Sequence, residues 1–108
     1  MARAASRLPA VYLEDLCFDV QQAAEKAIKA LLIVRGVEFP YVHDIGLLLT
    51  LLEDAGESVP VTVREAERLN PYVTTTRYPD VAQPVSEQEY TDAVRVADSV
   101  VHWAEARI

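Results

Sequence analysis

A chain of 108 residues with 51% apolar content has room for one small domain with a core of its own. The formal net charge of −7 argues against a sequence-independent nucleic-acid binder, DNA included, which would need a basic footprint; a local basic pocket stays open. No apolar run approaches the roughly 18 to 20 residues needed to span a bilayer, and one cysteine with two distant histidines gives no disulfide and no metal spacing.

Residues 1–9 are small and basic and read as a short N-terminal segment, open to disorder, ahead of a single helical domain over 10–108. Pro9 suits a helix start, so the first helix is placed near 10–35. Its centre, CFDVQQAAEKAIKALLIVRG, is dense in good helix formers and ends on Gly36, a C-terminal cap. At about 100° per residue it carries three stripes. Leu16, Val20, Ala23, Ala24, Ala27, Leu31 and Val34 form a broad apolar face, expected to be the packed one. Asp15, Asp19, Gln22, Lys26 and Lys29 form a polar stripe opposite. Glu14, Phe18, Gln21, Glu25, Ile28 and Leu32 form a mixed flank. The polar stripe is either a solvated face or one wall of a groove, and it holds both lysines of the chain, Lys26 and Lys29. Cys17 falls among core positions, where a thiol is buried and inert. With no disulfide and no leader pattern, the cytoplasm is the default compartment.

Pro40 forces Phe39 out of helical geometry, so residues 37–42 read as a connector. A second helix is expected near 44–55, with Asp44 as N-cap or first-turn residue and Gly56 as its stop. Thr62 and Glu65 suggest a capping box for a third helix near 62–69, broken by Asn70-Pro71. Residues 72–84 form the longest loop. Ser86 and Glu89 suggest a second capping box, opening a last helix over 86–107.

QQAAEKAIKALL followed by a glycine, then the pair His43-Asp44, then Arg77-Tyr78-Pro79-Asp80, resembles the HEPN domain. The likeness is to the subgroup encoded beside small nucleotidyltransferases, similar to the C-terminal helical domain of aminoglycoside nucleotidyltransferases, and it runs from about Leu13 to the C-terminus. It implies an all-α, up-and-down four-helix bundle that forms a homodimer. It also implies nucleotide binding, a nucleotidyltransferase partner, or RNA cleavage in toxin members; no cofactor is expected, and the lack of a spanning apolar run gives no membrane. Such domains carry a full helix before the QQAAEK helix. Here that helix is missing or reduced, so either the start is truncated or another chain completes the bundle.

Two constellations are candidates for function. In the first, Gln22, Lys26 and Lys29 line a groove, Arg77 and Tyr78 close over it from the long loop, and His43 adds a donor at one end. That assembly suits a nucleotide phosphate with its base on Tyr78, or an acidic partner surface. The bland alternatives are that Arg77 pins the loop to Glu25 or Asp19, and that His43 fixes the connector by bonding a carbonyl or carboxylate. In the second, Arg95 and His102 share a face of the last helix with Asp98 between them. The resemblance implies that such an arginine and histidine cleave RNA without metal, but Val96 and Ala104 depart from the family's active pattern. The alternative is an exposed Arg95–Asp98–His102 ladder, worth about 0.2–0.5 kcal/mol per pair. The sequence favours a nucleotide-binding or interaction module that acts with a nucleotidyltransferase in a toxin–antitoxin-like pair, with the ribonuclease as alternative.

Overall fold

The computed structural model describes residues 10–73 and 85–108, with side chains from Leu13 onward in the first helix. Helix α1 spans Ala10–Val34, α2 Ile45–Asp54, α3 Val61–Arg64 and α4 Glu87–Arg107; a 3₁₀ helix, Glu65–Val73, continues directly from α3. No strand occurs among the described residues, so the all-α expectation stands.

The ends of α1, α2 and α4 follow local chemistry. Gly36 adopts φ 72°, and the amides of Gly36 and Val37 donate to the carbonyls of Ile33 and Leu32 at 3.0 and 2.9 Å, a Schellman closure. Asp44 caps α2 by accepting from the Leu47 amide at 3.3 Å. At α4 the capping box is complete, with Glu89 N donating to Ser86 Oγ at 3.0 Å and Ser86 N to Glu89 Oε1 at 3.2 Å.

The third segment differs from expectation. Pro60 stands at the N-cap with no side-chain bond, and Thr62 lies inside the first turn, so the Thr62–Glu65 box does not form. The helical bonding tightens to 3₁₀ at Glu65 and carries the chain past Asn70-Pro71, which had looked like a stop. Asn70 is engaged elsewhere: its Oδ1 accepts from the Ile45 amide and its Nδ2 donates to Asp44 Oδ1, each at 3.0 Å. It thereby satisfies one of the free amides at the start of α2.

Helix α1 packs most extensively on α4, and also on the 3₁₀ helix and α2. The C-terminal ends of α1 and α4 meet: Arg35 donates to the Arg107 carbonyl at 2.9 Å, and Glu57 pairs with both arginines. These two helices therefore run in the same direction, a departure from strict up-and-down alternation. The packed face of α1 also differs from expectation. Ala24 and Leu31 of the broad apolar stripe are fully buried as expected, but Ile28 and Leu32 of the mixed flank are buried beside them with Gln21 and Glu25, whereas Ala23 and Val34 of the stripe are exposed. Side-chain size supplies the reason. Burying Ile or Leu is worth about 1.5–3 kcal/mol, far more than an alanine yields. The helix turns its large aliphatics toward Leu48, Leu49, Leu52 and Leu69, and its polar neighbours are carried inward with them.

Leu32→Ala should therefore cost about 2–5 kcal/mol in urea unfolding, and Val34→Ala less than about 0.5 kcal/mol. Equal effects would mean that the apolar stripe, not the flank, is the packed face.

Candidate functional site

Burying Glu25 at 2% exposure obliges the fold to partner a carboxylate, and four side chains gather on it. Gln21 Nε2 donates to Oε1 at 2.9 Å, Lys29 Nζ to Oε2 at 2.8 Å, and Gln22 Nε2 lies 3.4 Å from Oε1. His43 Nδ1 lies 3.0 Å from both oxygens. A carboxylate only accepts, so His43 donates from Nδ1 and Nε2 is left on the outer side of the ring. Burial pushes the Glu25 carboxyl up, but the bonds from Lys29, Gln21 and His43 and the charge of Lys29 outweigh it and hold its pKa below 4.5. Gln21 also reaches the His43 carbonyl at 3.4 Å, so the cluster ties the connector to the middle of α1.

The connector shapes the outer side of this cluster. Phe39 and Val42 pack against the core, while Tyr41 between them is 89% exposed. The Lys29 ammonium lies 5.4 Å from the Tyr41 ring centre and 5.9 Å from that of Phe39, and the Tyr41 and His43 rings meet edge to face at 5.7 Å.

Of the groove residues read from the sequence, Gln22, Lys29 and His43 are brought together, on Glu25. Lys26 is exposed and takes no part. Arg77 and Tyr78 lie outside the described residues. Sequence reasoning missed Glu25 as the organising residue, along with Gln21 and Tyr41. One signal was available. Glu25 shares a stripe with Ile28 and Leu32, so a face that buries those aliphatics also buries the carboxylate and demands donors, and Lys29 stands one turn on.

On α4, Arg95 and His102 are both exposed, at 56% and 71% of their side chains. His102 Nδ1 lies 2.8 Å from the Asp98 carbonyl and 3.2 Å from its Oδ1. The carbonyl bond and then the Asp98 charge raise its pKa above 6.5. The expected ladder is only half formed. Arg95 turns instead to Asp92 at 3.5 Å and Glu65 at 3.8 Å, because Glu65 of the 3₁₀ helix offers a second carboxylate on that side. Asp98 also edges a shallow apolar groove between α1 and α4, lined by Val20, Ala23, Val94, Ala97 and Val101. No metal-holding cluster occurs among the described residues, and no helix among them is long and apolar enough to cross a membrane.

A family model for the HEPN domain matches residues 1–107. No curated protein and no solved structure matches the chain.

The lowered Glu25 pKa has a sign that can be checked. A carboxyl with a depressed folded value contributes stability that is present above its unfolded pKa and is lost as pH falls through the folded one. Urea unfolding of the wild type should therefore weaken on acidification below about pH 4.5. Glu25→Gln should be less stable at pH 7 and should lose less on the same acidification. Parallel pH profiles for the two proteins would contradict this account of the cluster.

Proposed function

The chain belongs to the HEPN family, and from that premise we propose that it is a helical module engaging RNA, with Arg95 and His102 as the reacting face of a metal-independent endoribonuclease. The observation that carries this reading is the pair itself. Both side chains stand exposed on one helix, and His102 is oriented by two oxygens of Asp98. With Nδ1–H held by Asp98, the neutral ring offers Nε2 to a ribose 2′-hydroxyl. That nitrogen takes the hydroxyl proton, the 2′-oxygen bonds to the adjacent phosphorus, and the P–O5′ bond breaks. The products are a 2′,3′-cyclic phosphate and a 5′-hydroxyl, whose proton comes from water. Arg95 offsets the charge that builds on the phosphoryl oxygens.

A homodimer fits the same face. The groove between α1 and α4 exposes Ala23 and Val94 and leads through Asp98 to His102, so a second copy seated on it covers apolar surface and places two reacting pairs near the axis. One observation favours a second reading. The net charge of −7 suits a basic protein surface better than a polyanion, which supports the role of partner to a nucleotidyltransferase in a toxin–antitoxin-like pair.

The wild type should cleave single-stranded RNA in the presence of EDTA and leave cyclic-phosphate ends. His102→Ala should lower the rate by about 100-fold or more. Because its pKa is raised, His102 is more protonated at neutral pH than a free histidine, so cleavage that uses it as base should rise with pH through that value. An intact RNA substrate, or a His102→Ala variant as active as the wild type, overturns the ribonuclease reading.

A further inference from the structure

The cluster around Glu25 has an outer side that the reacting face on α4 does not use. We propose that Tyr41, His43 and Lys29 form a binding site for the nucleoside part of a ribonucleotide, with the base stacked on Tyr41 and a ribose hydroxyl bonded to His43 Nε2. The inference rests on reading the chain as an RNA-engaging module, and it names the part of the ligand held away from Arg95 and His102.

Tyr41 stands 89% exposed, between two neighbours anchored in the core. A lone exposed aromatic needs no explanation, but this one is set among fixed polar groups. Its ring meets His43 at 5.7 Å and the Lys29 ammonium at 5.4 Å, and both of those side chains are held from behind by Glu25. Glu25 itself is saturated, since Gln21, Lys29 and His43 all bond to it, so it positions the site and does not touch the ligand. Its hold on His43 Nδ1 fixes which nitrogen faces outward. An imidazole nitrogen held open on one side and an open aromatic face beside it match a sugar hydroxyl, which can donate or accept, and a base. Lys29 gives one N–H to Glu25 and keeps others for a base carbonyl or the sugar.

Charge decides between the nucleoside and the phosphate. Lys29 is offset by Glu25, and Glu38 lines a shallow depression with Phe39 and Pro40 at the start of the connector. The ammonium that touches the Tyr41 ring is thus already offset by a carboxylate, so the uncharged base and ribose dominate recognition at this spot. Stacking on one aromatic ring is worth about 1–3 kcal/mol, which corresponds to about 5- to 150-fold in affinity.

The test is a titration of the full chain, followed by the Tyr41 ring and His43 imidazole resonances, with adenosine, AMP and inorganic phosphate. Adenosine and AMP should bind with similar affinity and shift both sets of resonances, and phosphate alone should not. Tyr41→Ala should weaken adenosine by about 5-fold or more while Tyr41→Phe keeps it. Because Tyr41 is exposed, both variants should fold. Absence of adenosine binding, binding of AMP without adenosine, or unchanged binding by Tyr41→Ala overturns the proposal. RNA cleavage lost in His102→Ala is a separate readout, so the ribonuclease reading can fail while this site stands, and the reverse.

Discussion

The carboxylate of Glu25, buried in the middle of the longest helix, is the constraint on which the rest of the structure turns. A carboxylate in that setting is tolerated only with its donors in place. Lys29 and Gln21 come from the same helix at one turn on either side, and His43 comes from the connector 18 residues later. The first two follow from helical spacing. The third fixes where the connector must run and therefore where Asp44 begins α2. Asn70 then bonds both Asp44 and the Ile45 amide, which ties the 3₁₀ helix to the same corner. One buried charge thus coordinates α1, the connector, α2 and the 3₁₀ helix.

The rotation of α1 has a consequence on the opposite side. With Ile28 and Leu32 turned inward, Val20 and Ala23 are left beside α4 in a shallow groove instead of at the centre of the core. Had the helix been rotated to bring Val20 and Ala23 to the centre of the core, Glu25 would have turned toward water and the groove beside Asp98 would be closed. The polar cluster and the apolar groove are therefore two results of one choice of helix face. That choice is driven by the greater area of isoleucine and leucine over alanine.

Elements stabilised by neighbours in sequence were legible before the structure, and those stabilised across the fold were not. Gly36, Asp44 and the Ser86–Glu89 box act within a few residues, and the helices they bound lie where residue chemistry places them. The Thr62–Glu65 pattern looked equally good, yet Pro60 starts that helix one residue earlier and removes Thr62 from the cap. Asn70 reads as a breaker because its side-chain bonds to Asp44 and Ile45 span some 25 positions. Gln22, Lys29 and His43 were legible as polar residues with a shared purpose, but their meeting point was not. A carboxylate on a mixed stripe reads as solvated until the packed face is known. Tyr41 was hidden for the converse reason, since nothing in the local sequence says that Phe39 and Val42 pack against the core while Tyr41 turns out.

The chain's two histidines are held by carboxylates in opposite physical settings, and the contrast suits them to the different work proposed for each. His43 is locked by a buried anion that cannot be hydrated, so its ring orientation is part of the fold and varies little with solvent or salt. His102 bonds to Asp98 on an open helix surface, where both side chains are more than half exposed and the charge pairing is screened. The backbone carbonyl of Asp98 is the firmer of its two partners, because it is fixed by the helix itself. A rigid imidazole beside an exposed ring suits recognition, which requires a constant shape. A solvent-facing imidazole that gains and loses its proton readily suits acid–base exchange with an approaching substrate. In the proposed reading, a holding side set by Glu25 and a reacting side set by Asp98 lie on two helices packed against each other.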